Sequence, residues 1–168
     1  NKKHSAWDKP FERKTKYYKI YTNISWEFAE TVASAMDQVN EFYRSIYNYK
    51  KNAQATIRCM KNRTDFDKVA QKYTGEAPGP NVGGFWESVS RSVYAYDDIQ
   101  DPNSIWQTLF HEASHQFMSL LTREAHTPPT WLNEGTSSYF ESLTIKADGT
   151  ILKNAPANHR LRQWWQIE

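Results

Sequence analysis

Between Ser25 and Tyr49 the apolar residues Phe28, Val32, Ala35, Met36, Val39, Phe42, Tyr43 and Ile46 recur at spacings of three and four. That period puts them on one face of a long helix, and such a stripe is stable only when laid against another layer. The flanking segments change period. Lys16 to Thr22 (KYYKIYT) is rich in aromatic and β-branched residues, and Ala53 to Met60 (AQATIRCM) reads as a second strand, with Cys59 a small core residue in it. A long helix capped by Ser25 and set between two strands predicts an α+β domain, a small twisted sheet covered by helices.

At 168 residues and 19.7 kDa the chain suits one domain spanning 1–168. Its single cysteine removes intramolecular disulfides, so the core must be built by burial, much of it from an aromatic content of 15%. Lys and Arg number 21 against 19 Asp and Glu, a net charge of +2. No dense basic block appears beyond a mildly basic first stretch, which argues against nucleic acid as a partner. No apolar run approaches the roughly 18 residues that would read as a membrane span. The opening Asn1-Lys2-Lys3-His4 suggests a trimmed start, and residues 1–14 read as an irregular arm with Trp7 and Phe11 as anchors.

Further along, Thr64 to Tyr73 reads as a short helix opened by a Thr-x-x-Asp box. Gly75 to Gly84, with four Gly and two Pro in ten residues, is a turn-dense loop leading into Phe85-Trp86 and Ser92 to Tyr96, two adjacent strands or a hairpin. Asp101-Pro102 marks a helix start, and the periodic run continues to about Leu121. After the extended linker Thr127-Pro128-Pro129-Thr130, Trp131 to Leu143 is helical again, and Asp148-Gly149 centres a hairpin over Ile145 to Leu152. Residues 156–168 end as a Trp-rich helical segment without a cap, read as the start of a truncated helical region.

The second long helix holds His111-Glu112-Ala113-Ser114-His115. Two histidines four residues apart on a helix lie about one turn apart and about 40° around the axis, so both imidazoles can reach one ion. A catalytic zinc site takes three protein ligands and keeps a fourth position for water, and Glu112 stands where it can accept that water's proton. A helix-face histidine pair can also be a plain surface or core feature. A third ligand weighs against that reading: Glu134, with eighteen residues between it and His115, opens the next helical stretch after the Pro-Pro linker. Two antiparallel helices joined by a short loop would bring it to the metal.

HEASHQF, the eighteen-residue interval, and Trp131-Leu132-Asn133-Glu134-Gly135 followed by Ser138-Tyr139-Phe140-Glu141 together resemble the gluzincin zinc peptidases, most closely the aminopeptidase N branch and the compact peptidase MA-like group. The likeness covers His111 to Glu141, about a fifth of the chain. It implies a zincin-like fold with an active-site helix and a following glutamate-bearing helix, one Zn²⁺ held by His111, His115 and Glu134, and Glu112 as general base. It implies a zinc metallopeptidase acting on peptide or protein substrates, and an extracytoplasmic bacterial setting. The aminopeptidase branch carries a Gly-x-Met-Glu-Asn segment, whose glutamate grips a free amine. Here the comparable Gly83-Gly84-Phe85-Trp86-Glu87-Ser88 lacks its Met and Asn, so Glu87 is either an amine anchor or a solvated strand residue.

In such folds an extended substrate pairs with the free edge of the strand at the cleft rim, for which Ser92 to Tyr96 is the candidate. An oxyanion-stabilising group is expected downstream of Glu134, with His159 or its neighbour Arg160 as candidates and Tyr139 read as core packing. His126, in the linker, is either near the cleft or solvated, and Trp131, Trp164 and Trp165 are expected to pack on helices. Two acceptor patterns for glycosylation, Asn23-Ile24-Ser25 and Asn62-Arg63-Thr64, are short enough to arise by chance. The rival functional readings are a zincin-fold binding or scaffold module that keeps the metal without turnover, and a zinc hydrolase of another amide.

Overall fold

Ser25 starts the long helix as its sequence suggests, its hydroxyl accepting from the Phe28 N–H at 3.0 Å. Helix α1 (Trp26–Tyr47) ends at Asn48, which takes the left-handed conformation at φ 48°. It connects β2 (Tyr18–Thr22) to β3 (Ala55–Met60), which lie parallel, so the helix is the crossover that parallel pairing requires. This is a computed structural model, and it describes residues 4–50, 54–98, 101, 104–122 and 128–153.

The remaining described elements are β1 (Phe11–Lys14), α2 (Arg63–Thr74), β4 (Gly84–Glu87), β5 (Ser92–Tyr96), α3 (Ser104–Thr122), α4 (Thr130–Glu141), and the short pair β6 (Thr144–Ile145) and β7 (Ile151–Leu152). The main sheet has the order β1-β2-β3-β5-β4, parallel at β2–β3 and β3–β5 and antiparallel at both outer pairs. The fold is therefore mixed α+β, with a small sheet and four helices among the described residues.

Three expectations need correction here. Residues 11–14 form the edge strand β1, paired with β2, and do not belong to an irregular arm. Helix α2 is capped by Asn62, whose side chain accepts from the Asp65 N–H at 2.8 Å, so the cap sits two residues before Thr64. Ser92–Tyr96 is paired on both sides, with β3 and β4, and is no edge; the free edge on that side of the sheet, next to α3, is β4. The hairpins are as read, with Gly149 at φ 79° in the turn before β7.

The core lies between the sheet and the helices α1 and α3. Val32, Met36, Val39 and Tyr43 of α1 meet Ile20, Ile57, Val93 and the α3 residues Ile105, Leu109, Phe110, Ala113 and Phe117, all buried. Two polar groups inside are paired across elements: the Tyr43 hydroxyl donates to the Phe110 carbonyl at 3.0 Å, and Asn40 donates to the Tyr18 hydroxyl at 2.9 Å. Cys59 is fully buried and its thiol pKa is pushed up by that burial, an inert core position. Asn23 is also buried, donating to Asp65 and Ser5 and accepting from the Lys61 N–H, so its acceptor pattern is not a surface one.

Candidate metal centre and cleft

Helix α3 packs its buried face on the sheet and turns His111, Glu112 and His115 towards α4 and the edge strand. Helix α4, entered from Pro129, runs against α3 and supplies Glu134 from its second turn. Facing atoms of the three expected ligands converge: Glu134 Oε2 lies 3.4 Å from His111 Nε2, and Glu134 Oε1 lies 3.6 Å from His115 Nε2. One ligand atom from each falls within 4.8 Å of the others. Donors about 2.0 to 2.2 Å from a tetrahedral ion stand roughly 3.3 Å apart, and the two glutamate–histidine separations are close to that spacing.

The other nitrogen of each ring is held from α4. His111 Nδ1 donates to Glu141 Oε2 at 3.0 Å; the carboxylate can only accept, so the proton sits on Nδ1 and the Nε2 lone pair faces Glu134. Ser137 Oγ lies 3.1 Å from His115 Nδ1, and a proton there leaves the Nε2 lone pair aimed at the same point. Burial lowers the pKa of His111, but the Glu141 hydrogen bond and the charges of Glu112, Glu141 and Glu134 outweigh it and leave the ring above the ordinary histidine value. Two imidazoles among three carboxylates make a site that attracts a cation.

Glu112 points into the cleft. Its Oε2 accepts from the Trp86 backbone N–H at 2.9 Å, so the edge strand directly orients the expected base. Burial raises its pKa, against lowering by His115, His111 and the Trp86 N–H and a further rise from Glu134, and the net shift is upward. Gly84 permits the close approach behind this contact, because a methyl group there would collide with the Tyr94 carbonyl and the Thr108 side chain. The cleft, about 620 Å³, is lined by Phe85, Trp86 and Ser88 of the rim, Glu112, His115, Met118, Ser119 and Thr122 of α3, and Pro128, Asn133 and Glu134.

His111, His115, Glu134 and Glu112 are thus brought together as the sequence suggests. Glu87 is not part of the lining: its carboxylate accepts from the Val89 N–H at 2.7 Å and the Ser90 N–H at 2.6 Å and closes the β4–β5 turn. Burial raises its pKa, but the hydrogen bonds from Ser90 and Val89 win and hold it low. Tyr139 is no core residue, being 41% exposed, and Trp131 is 75% exposed, so neither packs as expected. His126, His159, Arg160, Trp164, Trp165 and the segment 156–168 lie outside the described residues. The sequence reading gives no role to Glu141, Ser137 or the Trp86 N–H, although Ser137 and Glu141 follow Glu134 at three and seven positions, on its own helix face. No protein-family model matches the chain, and no curated protein matches it.

Proposed function

We propose that this chain is a zinc-dependent metallopeptidase with a zincin-like domain of the gluzincin kind, cutting peptide bonds with Glu112 as general base. The observation that carries the proposal is the convergence of His111 Nε2, His115 Nε2 and the Glu134 carboxylate on one point, with Glu112 on the adjoining cleft wall. A merely structural ion site has no need of a carboxylate beside it whose orientation is fixed by a strand N–H. The donor set, two imidazoles and a carboxylate, is the chemistry of a catalytic zinc centre, whereas magnesium and calcium prefer oxygen alone.

Held by these three residues, zinc supplies Lewis-acid polarisation of the substrate carbonyl and a lowered pKa for a water molecule. The chain's own groups do the rest. Glu112 accepts the proton of the attacking water and returns it to the leaving amine, held in place for both transfers by the Trp86 N–H. Glu141 and Ser137 fix the ring orientations, so both lone pairs stay aimed while the proton moves. The rim strand β4 offers its outer backbone edge for an extended substrate chain.

The test is elemental analysis of wild type and Glu112→Gln, with cleavage of an unfolded, dye-quenched protein followed in the same preparations. About one zinc per chain in both, with chelator-sensitive cleavage lost only in Glu112→Gln, is the expected result. Stoichiometric zinc with no cleavage by wild type would point to a metal-holding module or a hydrolase of another amide, and absence of zinc after reconstitution would overturn the proposal.

A further inference from the structure

Strand β3 alternates between two environments. Ile57 and Cys59 point into the core beneath α1 and α3, so Thr56, Arg58 and Met60 take the opposite face of the sheet. There the register sets Tyr21, Arg58 and Tyr94 side by side in one row, and Lys19, Thr56 and Ser92 in the row two residues back. Helix α2 covers one end of this face, where Phe66 and Val69 pack with Met60 and Tyr94. Away from that end Lys19 is exposed, and Tyr21, Thr56 and Arg58 are half-buried. The guanidinium carbon of Arg58 lies 4.2 Å from the ring centroid of Tyr73, 5.2 Å from that of Tyr21 and 6.0 Å from that of Tyr94. These rings take the cation partly out of water, yet it has no carboxylate and no hydrogen-bond acceptor among the described residues, and its Nε is sealed from solvent unpaired. The carboxylates nearest on this face are committed elsewhere. Glu12, opposite Tyr21, pairs with Lys14 at 3.3 Å, and Glu87, opposite Ser92, accepts from the Val89 and Ser90 N–H groups. Two more cations stand close by: Lys19 on the neighbouring strand, and Lys72, whose Nζ lies 5.5 Å from the Tyr73 ring centroid.

We infer that this sheet face docks an acidic, extended segment of a protein partner, with Arg58 as the anchor and Lys19 and Lys72 beside it. The inference is independent of the reading of the metal centre, which belongs to the opposite face, where α3 packs. A half-desolvated guanidinium without a counter-charge attracts a carboxylate more strongly than a fully hydrated one does, and its planar fork matches the two carboxylate oxygens. An extended chain presents alternate side chains to one face about 6.6 Å apart, a spacing comparable to that of Arg58 and Lys19, which stand about 4.8 Å across and about 6.6 Å along the sheet from each other. Arginine and tyrosine are also the residue types that most often anchor protein interfaces. Nucleic acid fits this face less well. The rings that would stack bases already hold cations, Arg58 and Lys72 at Tyr73 and Arg58 at Tyr21, and the net charge of the chain is only +2.

The test uses the full chain, with Glu112→Gln as the background so that no peptide is cut. Fluorescence anisotropy follows its binding to a dye-labelled, end-blocked peptide in which Glu alternates with Gly, to the same peptide with Gln for Glu, and to a single-stranded oligonucleotide of equal charge. The Glu peptide should bind about tenfold or more tighter than the Gln peptide, and its affinity should fall as salt is raised. Arg58→Gln should weaken the Glu peptide about tenfold, and Arg58→Lys, which keeps the charge without the fork, should fall between. Lys19→Glu, at an exposed position, should weaken it as well and makes the same test should Arg58→Gln fail to fold. Equal affinity for the Glu and Gln peptides, or a Glu-peptide affinity that neither Arg58→Gln nor Lys19→Glu lowers, would overturn the proposal. Tighter binding of the oligonucleotide would overturn it in favour of nucleic acid, and displacement of the peptide by an equal concentration of inorganic phosphate would overturn it in favour of a free oxyanion.

Discussion

Glu141 accepts the Nδ1 proton of His111 at 3.0 Å, from the same helix whose Glu134 faces the Nε2 of that ring at 3.4 Å. Helix α4 therefore holds one imidazole from both sides, and the far side costs nothing in open coordination positions. Groups of this kind typically change metal affinity by 10- to 100-fold when lost. Glu141→Gln keeps an acceptor but removes the charge, so zinc affinity measured by competition with a chromophoric chelator should fall by about tenfold, and Glu141→Ala should fall further. Unchanged affinity in both would show that His111 is oriented by its packing alone.

The approach of the rim strand to α3 depends on a missing side chain. Gly84→Ala forces a methyl group against the Tyr94 carbonyl and Thr108, so β4 must retreat and carry the Trp86 N–H away from Glu112. Overpacking of this sort costs about 1–3 kcal/mol. The expected outcome is a lower midpoint in urea together with cleavage reduced about tenfold or more, zinc content being retained. Thr108→Ala in the same chain removes one of the two obstructions and should restore part of both losses, since the Tyr94 carbonyl remains.

Local periodicity carried most of the legible information. The α1 stripe, the histidine pair and Glu134 are all fixed by spacing along one helix or across one loop, and Ser137 and Glu141 obey the same rule, at three and seven positions from Glu134. Strand order is a different kind of fact. Ser92–Tyr96 and Gly84–Glu87 are both short and adjacent, and which of them ends at the edge depends on the parallel pairing of β3 with β5, a contact across thirty and more positions that no local pattern encodes. Phe11–Lys14 carries no strand signal in its sequence because three of its four residues are charged, a composition tolerated at an exposed sheet edge. The cap of α2 is ambiguous by two residues in the sequence, because Asn62 and Thr64 are both good capping types and only the backbone geometry selects Asn62.

Arg63 ties down the loop that feeds the rim strand. Its guanidinium donates to the carbonyls of Pro78, Gly79, Pro80 and Val82 at 2.8 to 3.1 Å and to Asp67 at 2.7 Å. One planar fork thus satisfies four carbonyls of a segment too rich in Gly and Pro to form a ladder of its own. Arg63→Lys keeps the charge but offers a compact donor, and it cannot span those acceptors. Limited proteolysis should cut both Arg63→Lys and Arg63→Ala between Gly75 and Gly84 faster than wild type, and stability should fall by about 1–3 kcal/mol in Arg63→Ala. Equal proteolysis rates would mean that the loop is held by Val82 and Phe85 packing instead.

Asp37 on α1 gives the pH dependence a definite sign. Burial raises its pKa above the ordinary 3.8, opposed by the Thr15 hydroxyl, which donates at 2.7 Å, and by the Tyr17 N–H, with Glu41 adding to the rise and Lys16 opposing it. A carboxyl whose pKa is higher folded than unfolded binds its proton more tightly in the folded chain. Its contribution therefore grows as pH falls from the folded pKa towards 3.8, and at neutral pH the ionised group costs stability. Asp37→Asn keeps the acceptor for Thr15 and removes the charge. In urea denaturation at pH 7 it should be more stable than wild type by about 0.5 kcal/mol, a size discounted for the group's partial exposure. The margin should shrink as pH approaches 4, because wild type gains its proton there and the asparagine does not. A margin that stays constant across this range would assign the effect to altered hydrogen bonding with Thr15, and a wild type more stable at pH 7 would reverse the sign of the burial cost.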